Sequence, residues 1–584
     1  MRATVSARQR VPPDASICQS VTGSRQPEGT VSDSWFDRHR ERLDSAVAAI
    51  ASREFYSAFD ESPSPRVYGE EAAPAGRAAF DAWLDGDFPL TAAGAEGTVA
   101  TERSPYGFGL GVRYPHVTDP DALLAAAAAG MRPWRDAGPD GRTAVCLEIL
   151  DRLHARIFEL ANAVQHTSGQ AFVMAFQAGG AHALDRALEA IAYAWVEMTR
   201  TPRTALWEKP GRGEPLRLEK TFTIVPRGVA LVIGCNTFPT WNSWPGLFAS
   251  LVTGNAVVVK PHPSAVLPLA ITVQVCQEVL AEAGFDPRLV LLAAEERGQK
   301  LAATLARRAE VRIIDYTGGN AFGEWLEDQA HQAVVFTEKA GVNTVVIDST
   351  SDFAGMCQNL AFSFSLYSGQ MCTAPQNVFV PAGGIETDTG HKSVDEIAAG
   401  IGAALDRLLG DDARAVELLG GIVNADIPAR VERAAGRGRV LVPSREVRHP
   451  AYADATVRTP LLVGLTADDA DTYTSECFGP VAYLIETADT IESLALFDHT
   501  VARHGAMTAS VYSTSEEVVD DMREAALEVG VALSENLTGG VFVNQSAAFS
   551  DFHGTGANPA ANASYTDGAY VASRFRVVQS RRHV

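Results

Sequence analysis

Residues 229–260 read VALVIGCNTFPTWNSWPGLFASLVTGNAVVVK, and this stretch decides the fold. It starts and ends with short runs of apolar, mostly β-branched residues, VALVI and AVVVK, and the segment between them is long enough for a helix. The same alternation continues to residue 348. Short apolar strands that alternate with helices are typical of a parallel, doubly wound sheet. We therefore predict an α/β fold whose ligands bind at the carboxyl ends of the strands.

The neighbouring segments extend this prediction in both directions. Downstream, strands are predicted at LVLLA, VRIIDYT, AVVFT and TVVID, with helices near residues 267–283, 297–308 and 321–330. Residues 350–545 mix helices and strands again, which predicts a second α/β lobe. Upstream, residues 204–225 contain two extended runs around a Gly/Pro-rich turn, which predicts a β-hairpin.

Composition excludes several classes of protein. The chain has 584 residues, which suggests several domains or one large multi-lobed enzyme. Its formal net charge of −22 disfavours nucleic acid and anionic membranes as partners. No apolar run approaches the roughly 18 residues that a spanning helix needs. The seven cysteines are widely spaced and form no CxxC pair, so we expect a reducing cytoplasm, without disulfides or a bound metal.

Three features carry possible chemistry, although each has an ordinary structural explanation. Gly318, Gly319 and Gly323 follow the strand VRIIDYT, where glycines let a backbone approach a phosphate but also serve turns. Cys372 lies in a small, polar, Gly-containing segment that favours a reactive thiol, whereas a buried structural cysteine is the commoner case. Glu338 follows the strand AVVFT, at the carboxyl end where sites form in such sheets.

Six motifs, taken in their order and spacing, connect these three features. From about residue 100 to the carboxyl terminus, the chain resembles the aldehyde dehydrogenase superfamily. The motifs are GVALVIGCNTFPTWN, VVVKPHPSA, YTGGNAFG, TEKAGVNTVVI, SGQMCTAP and ECFGPV. The resemblance implies a Rossmann-like cofactor domain, an α/β catalytic domain and a small β oligomerisation element.

Further segments resemble the stand-alone, PaaN-type ring-opening aldehyde dehydrogenases of phenylacetate catabolism. They are PSPRVYGEEAAPAGRAAF, SPYGFGLGVRYP, MRPWRDAGPDGR, AFQAGG and AAFSDFHGTGANPAAN. This resemblance implies NAD(P)-dependent oxidation of a CoA-linked semialdehyde to a carboxylic acid. Two alternatives remain: a general semialdehyde dehydrogenase of other catabolism or secondary metabolism, and a non-catalytic aldehyde dehydrogenase-like binding protein.

The resemblance also implies the roles of four catalytic residues. Cys372 would be the nucleophile that forms a thiohemiacetal, and Glu338 the base that activates water to hydrolyse the thioester. The backbone N–H of Cys372 and a side chain from the NTFP segment would hold the oxyanion. The family's usual asparagine position is occupied by Thr237, and the amide is one residue earlier at Asn236. Either Asn236 or Thr237 is therefore the expected second donor.

Cofactor residues follow from the same resemblance. Lys260, one of only six lysines, matches the lysine that contacts the adenosine ribose. Pro263 replaces the glutamate that many NAD-preferring members carry, which leaves Lys260, His262 or Ser264 to bind a 2′-phosphate. We expect NADP or NAD, with NADP slightly favoured. The remaining expected cofactor residues are Gly318, Gly319, Gly323, Glu476 and Phe478.

Aromatic residues near the expected oxyanion loop and near the carboxyl terminus are candidates for the substrate funnel, although core packing would also explain them. They are Trp241, Trp244, Phe549 and Phe552. His553 follows Phe552, but the implied chemistry already has a base and needs no histidine.

The expected domain organisation completes the prediction. Residues 1–34 lack an apolar period and predict a mobile tail. The dinucleotide-binding domain is expected over residues 35–203 and 226–337, and the catalytic domain over 338–547. The hairpin 204–225 and the arm 548–584 resemble elements that pair with a neighbouring subunit, which implies a homodimer or a dimer of dimers.

Overall fold

The computed structural model describes residues 31–584. The predicted tail covers residues 1–34, and its residues 1–30 lie outside the described residues. Its last residues belong to the first described helix, which begins at Val31. The described chain contains a five-stranded and a seven-stranded sheet, together with smaller sheets and many helices. Among the described helices, none has both the length and the apolar composition needed to cross a lipid bilayer.

An amino-terminal set of helices packs around the five-stranded sheet and its helices. The last helix of the set packs against both the first helix of the set and α10 (Pro239–Val252), a helix of that sheet. The helices are α1 (Val31–Ser52), α2 (Pro65–Tyr68), α3 (Ala72–Asp81), α4 (Pro120–Ala129), α5 (Met131–Asp136), α6 (Gly138–Ala155), α7 (Ile157–Ser168), α8 (Phe172–Phe176) and α9 (His182–Thr199). Strands β1 (Ala95–Val99) and β2 (Tyr114–Val117) form a small antiparallel pair.

The predicted hairpin is confirmed. Strands β3 (Thr204–Lys209) and β4 (Leu216–Pro226) pair antiparallel across the Gly/Pro-rich turn. Most of their residues are exposed or only partly buried, so the hairpin projects from the rest of the chain.

The predicted doubly wound sheet is present. Its strands are β5 (Val229–Ile233), β6 (Ala256–Lys260), β7 (Val290–Leu292), β8 (Val311–Thr317) and β9 (Val334–Glu338). Its helices are α10 (Pro239–Val252), α11 (Leu267–Glu282), α12 (Leu301–Ala306) and α13 (Asn320–Gln329). The strands lie in the order β7-β6-β5-β8-β9, and all of them are parallel. The chain adds β6 and β7 on one side of β5 and then β8 and β9 on the other, so the order in which strands are added reverses between β5 and β8. A ligand is expected at this reversal, at the carboxyl ends of the strands.

One predicted strand belongs to a different sheet. TVVID forms β10 (Thr344–Ile347), which pairs with strands of the second lobe. Glu338 ends the last strand of the first sheet, and Thr344 begins a strand of the second, so a short connection joins the two. The residues between Glu338 and Thr344 therefore bring the carboxyl end of β9 close to the amino end of β10.

The second sheet has the order β14-β15-β16-β12-β10-β17-β18, and only its edge strand β14 pairs antiparallel. Its strands, with a short additional pair, are β11 (Ser349–Thr350), β12 (Asn377–Pro381), β13 (Glu386–Thr387), β14 (Arg439–Val442), β15 (Leu461–Thr466), β16 (Val481–Thr487), β17 (Ala509–Tyr512) and β18 (Leu533–Glu535). Its helices are α14 (Phe353–Ser365), α15 (Val394–Leu409), α16 (Asp412–Leu419), α17 (Ile427–Ala435), α18 (Ala470–Tyr473), α19 (Thr490–His504) and α20 (Glu516–Val529).

The carboxyl-terminal arm returns to the first sheet and to the hairpin. Helix α21 (Gly568–Ala572) precedes β19 (Phe575–His583), which pairs antiparallel with β4. Between them, the buried Arg574 guanidinium donates to Asp315 of β8 at 2.5 and 2.8 Å. The Tyr570 hydroxyl donates to the same carboxylate at 2.7 Å. This ion pair connects the start of the carboxyl-terminal arm, at Arg574, to the first sheet.

Candidate active site

Cys372 lies just after a strained turn between α14 and β12. Tyr367, Ser368 and Gly369 have successive φ values of 53°, 52° and 64°. This left-handed conformation costs roughly 1–2 kcal/mol for each residue other than glycine. Hydrogen bonds hold the turn in place, because the Ser368 hydroxyl donates to the Leu419 carbonyl at 3.1 Å and the Tyr367 hydroxyl donates to the Ser168 carbonyl.

Asn343 fixes the other side of the turn. Its amide nitrogen donates to the carbonyls of Cys372 at 2.7 Å and Ala374 at 2.9 Å. Its oxygen accepts from the Met507 N–H at 2.8 Å, so the side chain is held on both ends. Within residues 31–584, the Cys372 N–H donates to no protein atom. That N–H is therefore free to bind an oxyanion.

Glu338 is held at the end of β9 by the carboxyl-terminal segment that contains NPAAN. The Lys339 N–H donates to the Ala560 carbonyl at 2.6 Å, and the Thr337 N–H donates to the Asn562 side chain at 2.8 Å. The Glu338 side chain is buried, and its Oε2 accepts a hydrogen bond from Asn242 at 2.9 Å. Its Oε1 is buried and accepts no hydrogen bond from the described residues. Oε2 is thus held by a hydrogen bond, while Oε1 is available to accept one.

His553 joins the two predicted catalytic residues. Its Nε2 lies 3.7 Å from Sγ of Cys372 and 3.2 Å from Oε1 of Glu338. Reactive atoms of all three side chains lie within 4.8 Å of one another. The backbone of His553 pairs with that of Tyr565 at 2.7 and 2.9 Å, and its ring meets the edge of Trp241 at a centroid distance of 4.5 Å. The imidazole is therefore held in one position.

The charges at this cluster affect the two ionisable groups in opposite ways. Burial raises the pKa of the Cys372 thiol well above its ordinary value, and the neighbouring charge of Glu338 raises it further. Burial also opposes ionisation of Glu338, but its polar contacts with His553, Cys372 and Asn242 outweigh this effect, so the pKa of Glu338 is lowered. Glu338 is consequently ionised at neutral pH, while Cys372 needs a base to become a thiolate.

The two expected oxyanion residues are not placed at the cluster. The Asn236 amide donates to the Thr167 carbonyl at 3.0 Å, and the Thr237 carbonyl accepts from Gln170 at 2.8 Å. The amide that reaches the cluster belongs to Asn242, one turn into α10. Helical geometry explains this difference, because Pro239 begins the helix and the third residue after it points into the cavity.

A cavity of ≈ 860 Å³ opens beside Cys372 and His553. Residues 55–61, which follow α1, form part of its wall, as does a short π-helical turn at Gln177–Ala181. Its ionisable lining residues include Asp60, Glu61, Asp185 and Glu417, and its described lining includes no lysine or arginine.

Only one of the four candidate aromatics lines this cavity. Trp241 does so, directly behind His553. Trp244 is fully buried in the core and donates to the Thr272 hydroxyl at 3.1 Å. Phe549 is also fully buried and supports the wall from behind by packing on Tyr56. Phe552 is half-exposed under the guanidinium of Arg53 and lies outside the lining.

The expected nicotinamide end of the cofactor site lies at the reversal of the first sheet. A Cβ at Gly318 would meet the Tyr316 hydroxyl oxygen at 2.4 Å, and one at Gly323 would meet the Lys339 side chain at 2.6 Å, so a larger residue at either position would displace its neighbour. Gly319 caps α13 and faces open space, which leaves room for a ligand.

Glu476 and Phe478 line a small cavity of ≈ 20 Å³ together with Met371, next to Cys372. Burial raises the pKa of Glu476 to about 7. Its charge also raises the pKa of the Cys372 thiol, which places the two residues near each other. These residues fit the predicted position beside the nicotinamide end.

At the expected adenosine end, Lys260 is buried and forms an ion pair with Glu295. Arg297 donates to the Ser264 hydroxyl at 2.7 Å, and the Ser264 N–H donates to His262 at 3.1 Å. Burial, with the charges of Lys260 and Arg297, lowers the pKa of His262 to about 4. The predicted residues are brought together here, with a carboxylate that the sequence prediction did not include.

Sequence reasoning therefore missed Asn242 and Glu295, and it named His553 but gave it no role. Asn242 lies in the motif that the analysis used, and its position three residues after the helix-starting proline was the available signal. Glu295 follows the strand LVLLA, where a carboxyl-end residue could be suspected of binding a ligand. His553 lies 181 residues from Cys372, and no sequence pattern brings the two together.

Comparisons with known proteins agree with this geometry. The model of the aldehyde dehydrogenase family matches residues 111–555. The crystal structure of an NAD-dependent aldehyde dehydrogenase from Burkholderia multivorans is 57% identical in sequence, with a TM-score of 0.92 over 94% of this chain and 99% of that one.

Two curated relatives are more distant. A 4,4'-diapolycopene-4,4'-dial dehydrogenase from Cytobacillus firmus is 24% identical over 55% of this chain and 66% of the relative, so the match spans about two thirds of that protein. The 1-pyrroline-5-carboxylate dehydrogenase 1 of Halalkalibacterium halodurans is 22% identical over 72% of this chain and 78% of the relative.

Proposed function

The chain belongs to the aldehyde dehydrogenase family, and on that premise we propose that it oxidises an aldehyde to a free carboxylic acid. The observation that carries this proposal is the buried Oε1 of Glu338, which accepts no hydrogen bond from residues 31–584 and lies in the cluster with Cys372. A carboxylate in that position can take a proton from water. A free acid is therefore the expected product rather than an acyl-CoA.

Cys372 is the proposed nucleophile. Its thiolate attacks the aldehyde carbon, and the new oxyanion is met by the free backbone N–H of Cys372. A nicotinamide group held beside Cys372 by Glu476 and Phe478 would supply the hydride acceptor. Glu338 then takes a proton from water, the hydroxide attacks the thioester, and the C–S bond breaks to release the acid.

The adenosine end of the site supports use of both NAD and NADP. Glu295 offers a carboxylate to the ribose hydroxyls, which favours NAD. Lys260, Arg297 and Ser264 offer cationic and hydroxyl groups to a 2′-phosphate, which favours NADP. The relative from Burkholderia multivorans, which is 57% identical, is described as NAD-dependent.

We propose a CoA-linked semialdehyde, of the type found in phenylacetate breakdown, as the substrate. The volume of the cavity, ≈ 860 Å³, supports this choice because it is near the upper end of ordinary ligand pockets, roughly 300–1,000 Å³. A small semialdehyde would leave most of that space empty. The phosphates of the CoA group would have to remain outside the acidic part of the lining.

A free neutral aldehyde is the second candidate. The observation that favours it is the charge of the cavity, because the described lining has several carboxylates and no lysine or arginine. An anionic substrate gains no ion pair from such a wall.

The projecting three-stranded sheet supports the proposed homodimer or dimer of dimers. Its apolar residues Leu206, Leu216 and Val578 are 64%, 54% and 53% exposed. Exposed apolar strand residues at a sheet edge are typical of surfaces that pair with another chain. The five-stranded, seven-stranded and three-stranded sheets support the proposed division into a dinucleotide-binding domain, a catalytic domain and this oligomerisation element.

The test is turnover of the full chain with NAD or NADP and a panel of aldehydes, followed by the absorbance of the reduced cofactor. The panel contains a CoA-linked semialdehyde, a small free semialdehyde and a long neutral aldehyde, with Cys372→Ala as the blank. We expect reduction with the wild type only and the highest kcat/KM for the CoA-linked compound. A preference for the neutral aldehyde would favour the second candidate, and no reduction at all would favour a non-catalytic binding protein.

A further inference from the structure

We propose that His553 is a catalytic base that accepts the thiol proton of Cys372. The inference rests on the proposed function and adds a residue to it. Nε2 of His553 is 3.7 Å from Sγ, within hydrogen-bonding range for sulfur, and the ring is almost completely buried. No step of the function proposed above uses this histidine.

The direction of the ring favours transfer from the thiol. Nε2 meets the geometry of a hydrogen bond with Sγ of Cys372 but not with Oε1 of Glu338, although Oε1 is closer at 3.2 Å. Because the ring is wedged against Trp241 and its backbone is paired with Tyr565, it cannot turn freely toward the carboxylate. The tautomer that carries its hydrogen on Nδ1 would present the Nε2 lone pair to the thiol.

Cys372 has a particular need for such a base. Burial and the carboxylate of Glu338 both oppose formation of the thiolate. Oε2 of Glu338 accepts from Asn242, and Oε1 is the atom that takes the water proton in the function proposed above. A second base in contact with Sγ lets the two proton transfers of the reaction use different groups.

The proton balance closes over one turnover. The S–H bond breaks and an N–H bond forms on Nε2 of His553, while sulfur attacks the aldehyde carbon. After the hydride has left, the water proton goes to Glu338, and hydrolysis releases Cys372 as a thiolate. The imidazolium then returns its proton to Sγ, and Glu338 releases its proton to solvent.

The surrounding charges stabilise the intermediate imidazolium. Glu338 lies at ion-pair distance from His553, and Glu476 and Cys235 are the other ionisable groups that act on Cys372. Tyr565 stacks near the imidazole with a centroid distance of 6.2 Å. The nearby Arg186, behind Trp241, is already paired with Glu189 at 2.8 Å. The carboxylate of Glu338 is therefore the charge in direct contact with His553.

The test is the rate of Cys372 alkylation by iodoacetamide as a function of pH, without any aldehyde or cofactor. The proteins are the wild type, His553→Asn and His553→Gln, with Cys372→Ala to subtract the other cysteines. His391→Asn is the control, because His391 is exposed and contacts Glu386. We expect both His553 variants to react roughly 10²-fold more slowly at neutral pH, with the rate rising only at higher pH. The control is expected to match the wild type.

A second outcome of the alkylation assay would overturn the proposal. If either folded His553 variant keeps the wild-type alkylation profile and only thioester hydrolysis slows, His553 positions Glu338 and the proposal is overturned. Circular dichroism establishes which variants are folded, and the glutamine variant retains a polar side chain if the asparagine variant does not fold. Because the assay contains no aldehyde, its outcome is independent of the turnover test of the proposed function.

Discussion

Asn242 donates a hydrogen bond from its side-chain nitrogen to Oε2 of Glu338 over 2.9 Å. Asn242 also accepts from the Cys235 thiol at 3.5 Å, so its own orientation is fixed. Oε1 of Glu338, beside Cys372, accepts no hydrogen bond within the described part of the chain. The amide therefore positions the carboxylate that is expected to activate water.

This contact predicts different outcomes for two asparagines of one motif. Asn242→Ala is expected to lower kcat at least about tenfold, because Glu338 loses its positioning contact. Asn236→Ala is the matched control and is expected to lower kcat much less, since its amide donates to the Thr167 carbonyl. Steady-state kinetics with the best aldehyde of the panel measures both. A larger loss for Asn236→Ala would restore Asn236 as the oxyanion donor that the sequence suggested.

Glu295 is expected to set the balance between the two cofactors. In Glu295→Gln, NAD should bind about tenfold more weakly, because a charged hydrogen-bond acceptor for the ribose is lost, while NADP should bind more tightly. Equilibrium titration of tryptophan fluorescence with each cofactor gives the two Kd values. Glu296→Gln is the control, since that neighbouring carboxylate is exposed. An unchanged ratio of the two affinities would show that Glu295 does not contact the ribose.

The buried ion pair at the base of the arm is expected to matter for stability. Arg574→Met leaves the carboxylate of Asp315 buried without its charge partner, which costs roughly 3–5 kcal/mol. Arg582→Met, in the same arm, removes an exposed ion pair with Glu219 and should cost at most about 1 kcal/mol. Urea unfolding followed by circular dichroism compares the two variants. Equal effects would contradict the importance given to the buried pair.

The strands of the first sheet could be predicted because their residues are buried on both faces. VALVI and AVVVK are continuous apolar runs, and they form the strands that the pattern predicts. For the same reason TVVID was wrongly predicted to belong to the first sheet, since an equally apolar run fits either sheet. Only the pairing of Thr344 with Asn377 and Ala509 shows that it belongs to the second one.

The candidate site was predictable where a residue is close in sequence to a strand end. Lys260, Glu338 and Gly319 are of this kind, and Cys372 was found through its motif. His553 was not, because its position depends on the carboxyl-terminal segment folding back on β9 through long-range backbone pairing. Trp244 and Phe549 were predicted to line the substrate funnel but are fully buried, since an aromatic residue near a site packs equally well into the core.

The most direct measurement is a single turnover of Glu338→Gln with aldehyde and cofactor, followed by mass spectrometry of the peptide that contains Cys372. The variant keeps the thiol but loses the base for water, so the thioester should accumulate. We expect one equivalent of reduced cofactor and the mass of one acyl group on Cys372, with no further turnover. Full turnover of the variant, or an acyl group on another residue, would contradict the assignment of Cys372 and Glu338.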